Sequence, residues 1–237
     1  MLLLFLTVWE LFADFHIIDS FFFSSPSRVV ACFVRMVLER SLFTHIGITL
    51  TETVISFFLV ALVSLSAATL LWYSRRLSEI LEPFLVVLNS LPKSALAPLL
   101  IVWLGTGMDT IIAAGISVAI FGAIINLYTG FLQADPEKLL LIRTLGGTRR
   151  DCFFKVVLPA SIPVILSNMK VNIGLSLVGV VIGEFLAARR GLGYLIIYGS
   201  QVLQLDMLIT SILLLCIIAM GLYQLLQFAE HCYKKKV

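Results

Sequence analysis

The chain has 237 residues, 60% of them hydrophobic and only 13% charged, and its mean hydropathy is +1.06. A soluble domain carries about 25% charged residues, and a water-soluble fold of this length could not hide so much apolar surface behind so thin a polar skin. The solvent that fits is a bilayer. The net charge of +3 is small and dispersed, which excludes the clustered basic stripe of a nucleic-acid binder.

A helix needs about 20 apolar residues to cross a bilayer, and the segments 1–18, 46–73, 84–104, 110–133, 164–188 and 207–228 qualify in turn. They are long and continuous, without the period-2 alternation of a barrel strand. The expected fold class is all-α integral membrane, a single domain over 1–237 with about six transmembrane helices. The first segment, MLLLFLTVWELFADFHII, lacks the basic start of a signal peptide and carries Glu10 and Asp14, so it reads as a retained, short first span. Residues 19–45 form an external or interfacial segment. Within them PSRVVACFVRMVLER has apolar residues near helical spacing, the pattern of an amphipathic helix lying at the membrane surface.

The third span, EPFLVVLNSLPKSALAPLLIVWLG, is irregular. Pro92 removes a helical hydrogen bond at the polar centre NSLPKS, and such a break at membrane depth is tolerated only against protein or water. Two readings stay open: a kinked packing helix, or a segment lining a pathway through Asn89, Ser90, Lys93 and Ser94. Ionisable groups within spans are costly. Glu52 and Lys170 sit near the expected span ends, where they can snorkel. Lys93 either pairs with a carboxylate such as Glu184 or attracts an anion. Asn126 and Asn172 face either a cavity or a neighbouring helix. Cys32, Cys152, Cys216 and Cys232 form no CxxC pair and, with the scattered His16, His45 and His231, leave no metal-ligand spacing.

Residues 134–163 are the one sizeable polar excursion. Asp135-Pro136-Glu137 starts a helix, since Asp caps and Pro suits the first helical position. Gly146-Gly147 can end it through a positive φ. Thr148-x-x-Asp151 matches a capping box opening a second helix, and Pro159 and Pro163 are expected to break the chain before the fifth span. The product is a short helix–turn–helix with Leu139, Leu140, Leu141, Phe153 and Phe154 on it. Exposed apolar residues of this kind mark a partner surface; the alternative is a hairpin folded back on the membrane domain.

Lysine and arginine set the orientation. With the N-terminus inside, the inner stretches hold Arg75, Arg76, Lys138, Arg143, Arg149, Arg150, Lys155 and Lys234-Lys235-Lys236. The outer stretches hold Arg28, Arg35, Arg40, Arg189 and Arg190. The excess favours both termini in the cytoplasm.

The hairpin resembles the coupling loop of binding-protein-dependent ABC importer permeases: Glu-Ala-Ala, three residues, Gly, nine residues, Ile-x-Leu-Pro. Here Gly146 is followed by nine residues and then Val156-Val157-Leu158-Pro159, and Arg143-Thr144-Leu145-Gly146 also matches. The Glu-Ala-Ala positions depart from the pattern, being Leu140, Leu141 and Ile142. WELFADFHIIDSFFFSSPSRVV, LNSLPKSALAPLLIVWLGTG and GEFLAARRGLGYLI resemble, in order, the N-terminal start, the third span and the segment after the fifth span of the nitrate/sulfonate/taurine branch.

This resemblance implies a type I importer (MetI-like) permease fold in a bacterial inner membrane. Two permease chains, expected as a homodimer, would form the translocation path. An external solute-binding protein would deliver the solute, a nitrate-, sulfonate- or taurine-like anion or a pyrimidine-type vitamin precursor. Two cytoplasmic ABC ATPase subunits would hold ATP and Mg; no cofactor is expected on this chain, which has no G-x-x-x-x-G-K-[ST] loop and is not read as an enzyme. The resemblance puts Leu140, Arg143, Gly146, Gly147, Asp151, Leu158 and Pro159 in ATPase coupling. Asn89, Lys93, Ser94, Asn126, Asn172 and Glu184 are the candidates for the path. The rival reading is an ion-coupled secondary transporter, which would show inverted repeats with paired broken helices; only one span is strongly broken.

Overall fold

A computed structural model describes residues 2–15 and 24–234. Residues 16–23, which end the first expected span and begin the interfacial segment, and Lys235 and Lys236 of the basic tail lie outside the described residues. The elements are α1 (Leu2–Asp14), α2 (Pro26–Leu38), α3 (Ser41–Tyr73), α4 (Arg75–Ser90), α5 (Lys93–Leu104), α6 (Met108–Leu132), α7 (Pro136–Thr144), α8 (Arg149–Ala187), α9 (Leu192–Gln201) and α10 (Leu205–Lys234). No strand occurs among the described residues.

Helices α3, α6, α8 and α10 are long and apolar enough to cross a membrane. Helices α4 and α5 meet at Leu91–Pro92 with a bend of 96° and together make at most a fifth crossing. The all-α membrane class stands, with four or five apolar crossings among the described residues where six were expected. The difference lies at the N-terminus. The described part of the first span is the 13-residue α1, about 20 Å long against a hydrocarbon core of about 30 Å.

The centre of the bundle is α6, packed between α3 and α8. Small residues let these backbones approach. A Cβ on Gly179 of α8 would lie 2.7 Å from the Gly115 Cα of α6. Ser56 of α3 donates to Ile112 O of α6 at 3.3 Å. Helix α2 is amphipathic as its spacing predicts: Ser25 caps it, and the buried Cys32 and Met36 pack against Leu42, Leu192, Leu195 and Leu214. Its entry is tied to α10 by an Arg28–Asp206 ion pair at 2.9 Å.

Helix α8 corrects one sequence expectation. Pro159 and Pro163 do not break the chain; they sit inside a helix that runs without interruption from Arg149 to Ala187. The reason is a π-helical turn over Phe153–Val157, where Leu158 N–H bonds to Phe153 O. The wider turn shifts the hydrogen-bond register just ahead of Pro159, whose ring would otherwise strike the carbonyl four residues back. The second arm of the hairpin and the fifth span are therefore one rod.

Candidate coupling and pathway sites

Three groups of candidate side chains occupy different parts of the bundle. At one end α7 and the start of α8 form the expected hairpin. Asp135 caps α7 by accepting from Glu137 N–H at 2.9 Å. Gly146 takes φ +81°, and the turn closes as a Schellman motif, with Gly147 N–H on Ile142 O at 2.8 Å and Gly146 N–H on Arg143 O at 3.0 Å. Thr148 and Asp151 cap each other, Asp151 accepting from Thr148 N–H at 2.9 Å, and Lys155 lies 3.1 Å from Asp151.

The hairpin is two-faced. On its inner face the buried Phe153 meets Trp72, Tyr73 and Phe131, with ring centroids 5.2–5.5 Å apart. Leu139, Val157 and Leu158 pack on the same cluster. On its outer face Leu140, Leu141 and Leu145 are 62%, 57% and 75% exposed. The fold-back reading thus holds for the inner face, while the outer face leaves an apolar surface uncovered. Arg143 and Pro159 are exposed as well, while Gly146, Gly147 and Asp151 shape the turn.

At mid-depth the structure brings some pathway candidates together and separates others. Asn126, Thr129 and Gln133 lie along one exposed stripe of α6, facing Ser167 and Asn168 of α8 across a cavity of about 330 Å³. Asn168 donates to Ala123 O at 3.4 Å, and its buried Oδ1 has no donor among the described residues. Asn89 approaches Gly122, one turn along the same stripe. Ser94 is exposed on the first turn of α5. Thr129, Gln133, Ser167 and Asn168 were not singled out from sequence; for the first two, the spacing of three and four residues from Asn126 to Thr129 to Gln133 was the available signal.

Lys93 does not pair with Glu184. Its Nζ donates to Leu88 O at 2.5 Å and Asn89 O at 2.9 Å, closing the end of α4 across the Pro92 bend, and it lies 5.5 Å from the Phe121 ring centroid. Asn172 is buried between α8 and α3 and does not reach the stripe. Lys170 does not snorkel but pairs with Glu230 of α10 at 2.5 Å.

Glu184 belongs to the opposite end and is 0% exposed. Thr49 Oγ1–H donates to its Oε1 at 2.6 Å, Gly193 N–H donates to Oε2 at 2.5 Å, and the Tyr194 N–H reaches it too. Leu192 N–H donates to Thr49 Oγ1 at 2.9 Å. These are the first amides of α9, whose N-cap Gly191 supplies no side-chain cap. A carboxylate from α8 caps α9 in its place. Gly191 and Gly193 are glycines because Glu184 fills the space of a Cβ at both. Glu52, expected to snorkel, is buried beside Glu184.

Comparison with known proteins converges on one family. Residues 61–229 match the model for the binding-protein-dependent transport system inner membrane component. A probable ABC transporter permease protein of Haemophilus influenzae is 30% identical over 95% of this chain and 91% of its own length. The formylaminopyrimidine transport permease protein ThiX of Halalkalibacterium halodurans is 27% identical over 81% of this chain and 76% of its own. A putative aliphatic sulfonates transport permease protein, SsuC of Bacillus subtilis, is 26% identical over 90% of this chain and 77% of its own. Among solved structures, a chain of the inward-facing MetNI methionine ABC transporter superposes with a TM-score of 0.70, 20% identity, and coverage of 84% of this chain and 97% of that one; at that identity the likeness speaks for the fold.

Proposed function

The chain belongs to the family of binding-protein-dependent transport system inner membrane components, and from that premise we propose that it is moved by a cytoplasmic ATPase seated on the α7–α8 hairpin. The coarse role, a multi-pass permease subunit of an ABC importer, comes with the family. The finer reading rests on one observation: the hairpin is anchored by Phe153 on one face and leaves Leu140, Leu141 and Leu145 uncovered on the other. A surface loop has no need of such an apolar face unless a partner groove receives it.

A push on the hairpin enters α8 directly, because α8 runs unbroken from Arg149 to Ala187. It also reaches α3 and α6 through the Phe153 cluster. Tilting α8 against α6 changes the width of the polar cleft between Asn126 and Ser167. Polar groups exposed at membrane depth are costly against lipid, so this cleft faces water or a second permease copy, and a homodimer would enclose a path between two such stripes. The transition is a two-state equilibrium biased by ATP on one side and the loaded binding protein on the other. The hairpin end, with Lys138, Arg143, Arg149, Arg150 and Lys155, is cytoplasmic in this reading, and the membrane is the bacterial inner membrane.

The solute is a small anion or a pyrimidine-type precursor, in keeping with relatives named for aliphatic sulfonates and formylaminopyrimidine. Co-purification of the ATPase subunit with Leu140→Glu and Leu145→Glu variants tests the docking. Both positions are exposed, so folding should survive and ATPase capture should be lost; unchanged capture would defeat the proposal. Asn126→Leu should lower solute uptake while sparing ATPase capture.

A further inference from the structure

A cavity of about 440 Å³ opens between the hairpin and the ends of two crossing helices. Leu71 and Trp72 of α3, Tyr128 and Leu132 of α6, and Leu139 of α7 give it an apolar wall. Neither Asn126 nor Ser167 lines it, so it is separate from the polar cleft. Trp72 lies one residue from the end of α3, and Tyr128 about one turn from the end of α6. Tryptophan and tyrosine concentrate where a membrane helix meets water, which puts the cavity at headgroup depth.

Three arginines from three elements also line it: Arg75 at the start of α4, Arg143 of α7 and Arg149 at the start of α8. Arg143 lies one turn beyond Leu139 on the same face of α7 and enters no ion pair among the described residues. Trp72 holds the Arg149 guanidinium in place, its carbonyl accepting at 3.0 Å and its ring centroid lying 5.4 Å away; that bond uses one of several N–H donors. Two carboxylates share the cavity, Glu79 and Glu82. Glu79 is held by Arg75 at 2.9 Å. Glu82 enters no ion pair among the described residues. The arginines outnumber the carboxylates, so the lining carries a net positive charge.

We propose that this cavity is a binding site for an anionic phospholipid, with an acyl chain against Leu71, Leu132 and Leu139 and the phosphate on Arg143 and Arg149. A guanidinium offers a phosphate two parallel N–H donors, and basic pockets between membrane helices suit anionic headgroups. The apolar wall selects a lipid over a free phosphate, which has nothing to lay against it. Glu82 opposes the phosphate and keeps the affinity moderate. A bound headgroup ties α7 and the start of α8 to the end of α3, and so stiffens the hairpin on the side that Phe153 anchors. The site requires that α3 and α6 end at a membrane surface, and it does not depend on which protein the outer face of the hairpin receives.

Native mass spectrometry of the assembled transporter, with the full-length chain, tests this through the retention of phosphatidylglycerol against phosphatidylcholine of the same acyl chains. The wild type should retain phosphatidylglycerol preferentially. Arg143→Gln should lower that preference by about fivefold, the worth of one cation at a membrane surface. Arg76→Gln, at an exposed position outside the cavity, should leave it unchanged. Glu82→Gln should raise it, a gain that misfolding cannot produce. Equal retention of both lipids by the wild type, or equal losses in Arg143→Gln and Arg76→Gln, would overturn the proposal, as would the absence of a gain in Glu82→Gln. A last arm adds glycerol phosphate in large excess. Lipid retention should be unaffected, and displacement would overturn the lipid assignment in favour of a free phosphate.

Discussion

Arg149 is bound to the end of α3 through Trp72: its Nη2–H donates to Trp72 O at 3.0 Å, and its guanidinium lies 5.4 Å from the Trp72 ring centroid. One side chain at the hairpin turn thus closes the last turn of a different helix. Arg149→Ala should loosen the joint by about 1 kcal/mol, given the exposure of the hydrogen bond and cation–π contact. The expected result is faster proteolysis at the hairpin and fewer solutes moved per ATP; an unaltered transport-to-ATPase ratio would show that the joint carries no motion.

Phe153 and Phe154 are neighbours with opposite environments, 3% and 52% exposed. Phe153→Ala opens a cavity among four aromatic rings and should cost about 3–5 kcal/mol, lowering the apparent Tm of the purified complex by roughly 10 °C. Phe154→Ala should leave Tm nearly unchanged. Equal Tm shifts would mean that the inner-face cluster does not anchor the hairpin.

Gly146 holds φ +81°, and a Cβ there would meet nothing within 4 Å. Only the backbone conformation therefore penalises a side chain at this position, by about 1–2 kcal/mol for an ordinary residue. Gly146→Val should reduce solute-stimulated ATPase activity, whereas Gly146→Asn, which tolerates the left-handed region, should retain most of it. Full coupling in the valine variant would remove the turn from the mechanism.

Lys170 and Glu230 are paired at 2.5 Å with side chains 19% and 12% exposed. Removing one partner leaves the other charge without its counter-ion, so Lys170→Glu alone and Glu230→Lys alone should each lower the Tm. The double exchange Lys170→Glu with Glu230→Lys should recover most of that loss. Thermal unfolding of the three variants decides it: additive losses in the double variant would show that the pair does not hold α10 to α8.

Gly193 is the tight position beneath α9, where a Cβ would lie 2.7 Å from Glu184 Oε2 and 3.0 Å from Val181 O. A carboxylate can shift but the Val181 backbone cannot do so freely. Gly193→Ala should displace α9 and increase exchange at its first amides, with a stability loss of about 1–3 kcal/mol typical of overpacking. Wild-type protection in that variant would contradict the capping role of Glu184.

The hairpin was legible in the sequence because its signals are local. Asp135 before Pro136, Gly146 at the turn and Thr148 with Asp151 each act within a few residues, and all take the predicted geometry. The face that Phe153 turns to Trp72 and Phe131 was not legible, since periodicity says that a helix is two-sided and not which neighbour covers which side. Pro159 misled for a related reason: a proline argues for a break, and only the π-helical turn ahead of it, held by packing of Phe153 and Val157, removes the clash.

Composition and run length by themselves determined that this is a helical membrane protein, because burying so apolar a chain in water is impossible at this size. Local signals also located the α7–α8 hairpin, through caps that need no partner. The tertiary structure alone decided the roles of the charged residues. Thr49 and Glu184 are 135 residues apart in sequence and 2.6 Å apart in space. That contact makes Glu184 a cap for α9, while Lys93 closes the Pro92 bend. Whether a buried charge is paired, capped or open to a passing solute depends on what long-range packing sets beside it, and no local pattern encodes that.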